Sequence, residues 1–296
     1  MLDTAALPDV AAFASANGLR HEASAPKPAY GGAVFEYLQS ASVTDRFTST
    51  DGTFEVGNLS GTVGGSQRSD AGGFTITTSY SSTSRRSYGY LAMRLERALP
   101  HLVLDATRND RTFGSSIPMP IADGQTLSLE GDFNTYFTLH CPNGYERDAL
   151  YVFAPDLMAL LIDETGDFDV EIVDDMLFVY SNTPFDVSDA ALWQRLDRIR
   201  EVVGAKALRQ TGRYSDDRVT AGTTVAGATA SATGAPNAVG EDGRRLSQGF
   251  LGTDPKKNPK RMLWVVGGVI IGVVVIIGVV GTIIVTTVLS GLRGAL

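Results

Sequence analysis

The densest run of side chains with coordinating chemistry is acidic: Asp163, Glu164, Asp167, Asp169, Glu171, Asp174 and Asp175 fall within thirteen positions. Crowded carboxylate oxygens are what a calcium ion takes. A helix–loop–helix calcium loop, however, needs glycine at its sixth position for the sharp turn, and counting from Asp163 that position is Phe168. Asp169 and Glu171 alternate with Phe168, Val170 and Ile172, which reads as a strand whose wet face carries charge that discourages pairing with other chains. No metal site is expected from this stretch.

The groups that could move protons or attack a substrate are sparse. His21, His101 and His140 lie in separate elements, so a histidine site would have to assemble through tertiary contacts, and each reads as structural or surface. Cys141 is alone, which leaves no disulfide within the chain. In a strand from Phe133 to Cys141 it shares the apolar side with Phe133, Phe137 and Leu139, while His140 points the other way and is badly placed to act as its base. No phosphate loop, dinucleotide turn, nucleophile elbow or HExxH zinc motif occurs. The expectation is therefore no catalytic residue and no cofactor. One binding candidate remains: Tyr80, Tyr88 and Tyr90 beside Arg85 and Arg86 could form a cationic aromatic patch for an acidic or phosphorylated partner, though tyrosines are ordinary in strands.

The net charge of −8 is unevenly spread. From Asp254 onward the chain carries Lys256, Lys257, Lys260, Arg261 and Arg293 against one acid, so the preceding 253 residues hold −12. A nucleic-acid-binding surface needs the opposite balance, and nucleic acid is not an expected partner.

From Met262 to Leu292 there are 31 consecutive uncharged positions dominated by Val and Ile. As a helix they would extend about 46 Å at about 1.5 Å per residue, more than a hydrocarbon slab about 30 Å thick. The run is expected to be a transmembrane helix, with Trp264 at the headgroup level. Lys256, Lys257, Lys260 and Arg261 precede it and Arg293 alone follows, so the positive-inside bias puts the N-terminal side in the cytoplasm. Residues 1–18 are not expected to be a secretory signal, and residues 293–296 are expected to be a short tail, the plan of a single-pass, tail-anchored protein of the cell membrane. Gly267, Gly278 and Gly281 fall near one face of this helix, with Gly268 and Gly272 as a GxxxG pair beside it. Such small residues allow close helix–helix approach and a homodimer, or reflect the general frequency of glycine in spanning helices.

The elements before the anchor are expected to run as follows. Leu7 to Asn17 is a helix, residues 43–106 are strands separated by glycine pairs, and Leu102 to Leu104 forms a further strand after Pro100. Phe133 to Cys141 is a strand, and Asp148 to Asp163 is helix in two pieces divided at Pro155. Phe168 to Tyr180 is a hairpin turning at Asp174 and Asp175, and a closing helix begins at Ser188 with Leu192, Leu196, Ile199 and Val203 on one side. Strands in a block, without regular βαβ alternation, indicate an α+β domain on an antiparallel sheet with flanking helices. That domain is expected to span residues 1–212, followed by a disordered Ala/Gly/Thr/Ser linker over 213–261 that ends in the basic residues.

Three segments, Leu99 to Ala106, Ser128 to Glu164 and Asp169 to Tyr180, carry a resemblance. Together they resemble a family of actinobacterial membrane proteins in which a cytoplasmic domain of unknown function is joined to a hydrophobic anchor. The resemblance covers roughly residues 1–215, implies the same architecture and brings no catalytic residues with it. The expected function is an acidic cytoplasmic interaction or regulatory domain, without enzymatic activity, that meets an unidentified protein partner. The alternative is a membrane-tethered enzyme, which a deep pocket joining His101 or His140 to carboxylates would favour.

Overall fold

The structure, a computed structural model, describes residues 2–7, 9–71, 74–109, 115–119, 121–122, 124–129, 132–219 and 239–247, the side chains of residues 64–71, 74–83 and 210 excepted. The carboxylate of Asp9 accepts the N–H groups of Ala11 and Ala12, both at 3.0 Å, and so starts helix α1 (Val10–Ala16), three residues later than the expected Leu7. The helix buries Phe13 and Ala14, and the Phe13 ring lies 4.6 Å from that of Trp193.

Among the described residues seven strands form one antiparallel sheet: β1 (Leu19–Pro26), β2 (Leu38–Ser49), β3 (Phe54–Ala71), β4 (Phe74–Ala106), β5 (Thr126–Leu127), β6 (Phe137–His140) and β7 (Asp169–Ser181). The expected class, an antiparallel sheet with flanking helices, is the one observed. Its spine is β4. Along one edge β4 pairs with β3 and then, from Val103 to Ala106, with β6; along the other it pairs with β7. Its two faces are covered as well. Leu91, Met93, Leu102 and Leu104 enter the larger core with Phe13, Phe47 and Trp193, while Tyr88, Tyr90 and Ala92 enter a second core with Val34, Phe35 and Phe178.

The helices are short. Helix α2 (Ala33–Tyr37) lies among the residues of the second core. Helices α3 (Phe133–Tyr136), α4 (Glu146–Val152) and α5 (Pro155–Leu160) precede a π-helical turn at Leu161–Thr165. Pro155 does open a new helix, as expected, where its missing N–H costs nothing. Helix α6 (Ala190–Arg198) is capped by Asp189 rather than Ser188, continues through a second π-helical turn at Ile199–Gly204, and ends in α7 (Ala205–Thr211).

Four expectations change. Residues 102–104 are the end of β4, not a separate strand: the β4/β7 register shifts between Arg94 and Leu102, and a proline without an N–H is tolerated at such an irregularity. Asp174 and Asp175 do not turn a hairpin. Asp174 takes φ 52° and makes a bulge within one continuous strand, which flips the side-chain phase so that Val173 and Phe178 face the same core. Phe133 to Tyr136 is helical because Asn134 folds back on Leu129, donating to its carbonyl at 2.7 Å and accepting its N–H at 3.2 Å.

Finally, the domain does not close at 212. Residues Met1–Gln248 form one compact unit. Within it the strap 239–247 buries Val239 and Leu246, and Arg245 makes a two-pronged contact with Asp174 at 2.9 and 3.1 Å. The stretch expected as linker therefore includes a packed segment before the basic residues. The expected spanning run 262–292, its glycines and Lys256, Lys257, Lys260 and Arg261 lie outside the described residues. No described helix is long and apolar enough to cross a membrane.

Candidate functional site

Two features stand out, one closed and one open. The closed feature follows from burying β7 on both faces. Asp169 and Glu171 were expected on a wet strand face, yet they are 1 % and 0 % exposed. A buried carboxylate needs donors, and Glu171 has three: it accepts the Ala33 N–H at 2.8 Å, the Tyr180 hydroxyl at 2.9 Å and His101 Nε2 at 2.7 Å. Burial first and Glu171 second hold the Tyr180 hydroxyl far above its ordinary pKa, so it stays a donor. The strap completes the cluster. The Leu246 N–H donates to His101 Nδ1 at 3.1 Å, which makes Nδ1 the acceptor and leaves the ring proton on Nε2, directed at Glu171. Asp169 accepts the Ala106 N–H at 2.8 Å and the Ser116 hydroxyl. Both ring nitrogens of His101 are thus engaged by the protein itself, and this histidine pins the strap to β4 and β7.

The open feature is a cleft of about 590 Å³ on the other face of the sheet. Its floor is Phe54 at the start of β3, Met93 and Leu95 of β4, and Leu177 of β7; its roof is Gly204 from the second π-helical turn with Ala205 and Leu208 of α7. Gly204 brings the roof backbone onto β4, since a Cβ there would stand 2.9 Å from Met93 Sδ. Arg94, Glu96, Arg200 and Glu201 border the mouth. Arg94 is paired with Asp175 at 2.6 Å, and Arg200 with Asp197 at 2.7 Å, its guanidinium 5.1 Å from the centre of the Phe54 ring.

The sequence candidates fall differently. Tyr88 and Tyr90 are buried: the Tyr88 hydroxyl donates to the Ser116 carbonyl at 2.9 Å, and the Tyr90 hydroxyl to Glu55 at 2.6 Å. Arg85 is exposed and Arg86 half-buried, so the structure separates the arginines from these two rings; the Tyr80 side chain lies outside the described set. The acidic run is dispersed, Glu164 to Arg198, Asp167 to Arg195, Asp174 to Arg245 and Asp175 to Arg94. Among the described residues no three His, Cys, Asp or Glu side chains are grouped to hold a metal ion. Cys141 is a core residue as expected, and burial, with Glu146 and Asp148 adding to it, pushes its thiol up to about 11. Sequence reasoning missed the cleft, because its lining comes from four separate stretches of chain with no shared motif.

No family model matches the chain, and no curated protein is similar to it. Among solved structures, the crystal structure of the mycobacterial trehalose monomycolate transport factor A, TtfA, is similar at a TM-score of 0.38 with 9% identity, over 68% of this chain and 89% of that one.

Proposed function

We propose that the chain is a single-pass protein of the cell membrane whose folded unit stands on the cytoplasmic side and acts by binding, as an acidic interaction or regulatory domain. The observation that carries the anchor is the uncharged run of 31 residues from Met262, preceded by Lys256, Lys257, Lys260 and Arg261. The binding reading is supported by how the polar interior is arranged: His101, Glu171 and Tyr180 are consumed in holding β4, β7, α2 and the strap together, while the cleft on the other face has an apolar floor and roof. Gly267, Gly268, Gly272, Gly278 and Gly281 supply the contact face for a homodimer within the membrane. The second reading, a membrane-tethered enzyme, draws on the same His101–Glu171 pair and needs the strap to lift from Nδ1 before the ring can act.

Alkaline carbonate extraction of membranes tests the anchor. The full chain should stay in the pellet and a chain ending at residue 255 should move to the supernatant. Release of the full chain by carbonate would overturn the reading.

A further inference from the structure

We propose that the cleft between β4 and the segment 199–208 binds the hydrocarbon chain of a single-chain amphiphile whose head group is zwitterionic or uncharged. This deepens the binding reading above but rests on the folded unit alone, so a failure of the anchor would leave it standing. The volume of about 590 Å³ lies in the range of small-molecule sites, roughly 300–1,000 Å³. A protein partner is a poorer occupant: twelve residues line the cleft, against about 20–30 on each side of a stable interface. Floor and roof offer carbon and sulfur, with Phe54 and Leu208 left half-buried over the larger core. Met93, unbranched and polarisable, suits a chain of variable contour.

The roof is also built irregularly at this place. A π-helical turn, rare and frequent at functional sites, supplies Arg200, Glu201 and Gly204 to the lining. It ends at Gly204, where the backbone rests on Met93. The mouth selects the head group. Two arginines and two glutamates border it, and both guanidiniums already have carboxylate partners in Asp175 and Asp197. With Asp175 and Asp197 included, the mouth carries four carboxylates against two guanidiniums, so a lone anionic head group is repelled there, whereas one without net charge is not.

The test uses the full chain and two photoactivatable probes with the same diazirine-bearing alkyl chain, one ending in phosphocholine and one in carboxylate. The phosphocholine probe should label the peptides holding Met93–Leu95 and Ala205–Leu208, more strongly than the carboxylate probe and competably by unlabelled monoacyl phosphocholine. Ala205→Trp, at a half-buried roof position, should reduce that labelling about tenfold with the unfolding midpoint retained; Leu208→Gln serves as the second variant if the tryptophan does not fold. Label confined to other peptides, or unchanged in a folded filler variant, would overturn the site. Stronger labelling by the carboxylate probe would overturn the head-group assignment.

Discussion

The strap can be loosened by one substitution, Leu246→Ala, and the size of the effect follows from its surroundings. Leu246 is 4 % exposed and packs on Ala33, Val103 and Ile117. Truncating a buried leucine costs about 2–5 kcal/mol, and a site at the margin of the sheet, free to collapse, belongs near the lower figure. The neighbouring Arg245–Asp174 pair is about half exposed and adds at most about 1 kcal/mol. A loss of about 2 kcal/mol raises the open population of the strap about 30-fold. The readout is native-state hydrogen exchange at two amides, Leu246 bonded to His101 Nδ1 and Ser247 bonded to Gln125 Oε1 at 2.8 Å. Both should exchange about 30-fold faster, while amides of β4 and β7 keep their protection. Unchanged exchange at Leu246 and Ser247, or equal acceleration throughout the sheet, would mean that Leu246 does not hold the strap as a separate unit.

Glu171→Gln keeps the shape of the buried side chain but turns one acceptor oxygen into a donor, which faces the Ala33 N–H and either His101 Nε2 or the Tyr180 hydroxyl. It should lower unfolding stability by about 2–4 kcal/mol in urea titration, well beyond the near-neutral change from Asp163→Asn at an exposed position. Acid should act through Asp216. Burial raises its carboxyl, but the N–H groups of Gly240 and Arg218, the Arg218 guanidinium and the Tyr145 hydroxyl outweigh burial and hold it below the ordinary range. A carboxyl depressed in the folded state contributes stability above its unfolded value and loses it as pH falls through the folded one. The thermal midpoint should therefore drop below about pH 4, and Asp216→Asn should flatten that drop.

How much of this was legible beforehand depends on how many faces of an element are covered. Helix α6 and its continuation have one buried side, and Leu196, Ile199 and Val203 announced it correctly. Pro155 marked a helix start by the same local logic. Strand β7 is covered on both faces, so polar residues alternating with apolar ones no longer meant water: Asp169 and Glu171 look inward because Ala33, His101, Ala106, Ser116 and Tyr180 meet them. No local pattern reveals a partner 70 residues away, as His101 is from Glu171. The bulge at Asp174 mimicked a turn because both need a residue that tolerates positive φ. The strap hid in a stretch poor in apolar residues, where Val239 on the larger core and Leu246 on Ala33, Val103 and Ile117 suffice once His101 bonds the strap backbone and Asp174 bonds Arg245.

The proposed arrangement has a folded unit, closed by its own strap, held at a membrane on the side where the basic residues lie. Protease added to intact cells and, separately, to inside-out membrane vesicles tests it most directly. Cells should protect residues 1–255, and vesicles should lose them to the protease, beginning outside the packed unit Met1–Gln248. Cleavage in intact cells, with protection in the inverted vesicles, would contradict it.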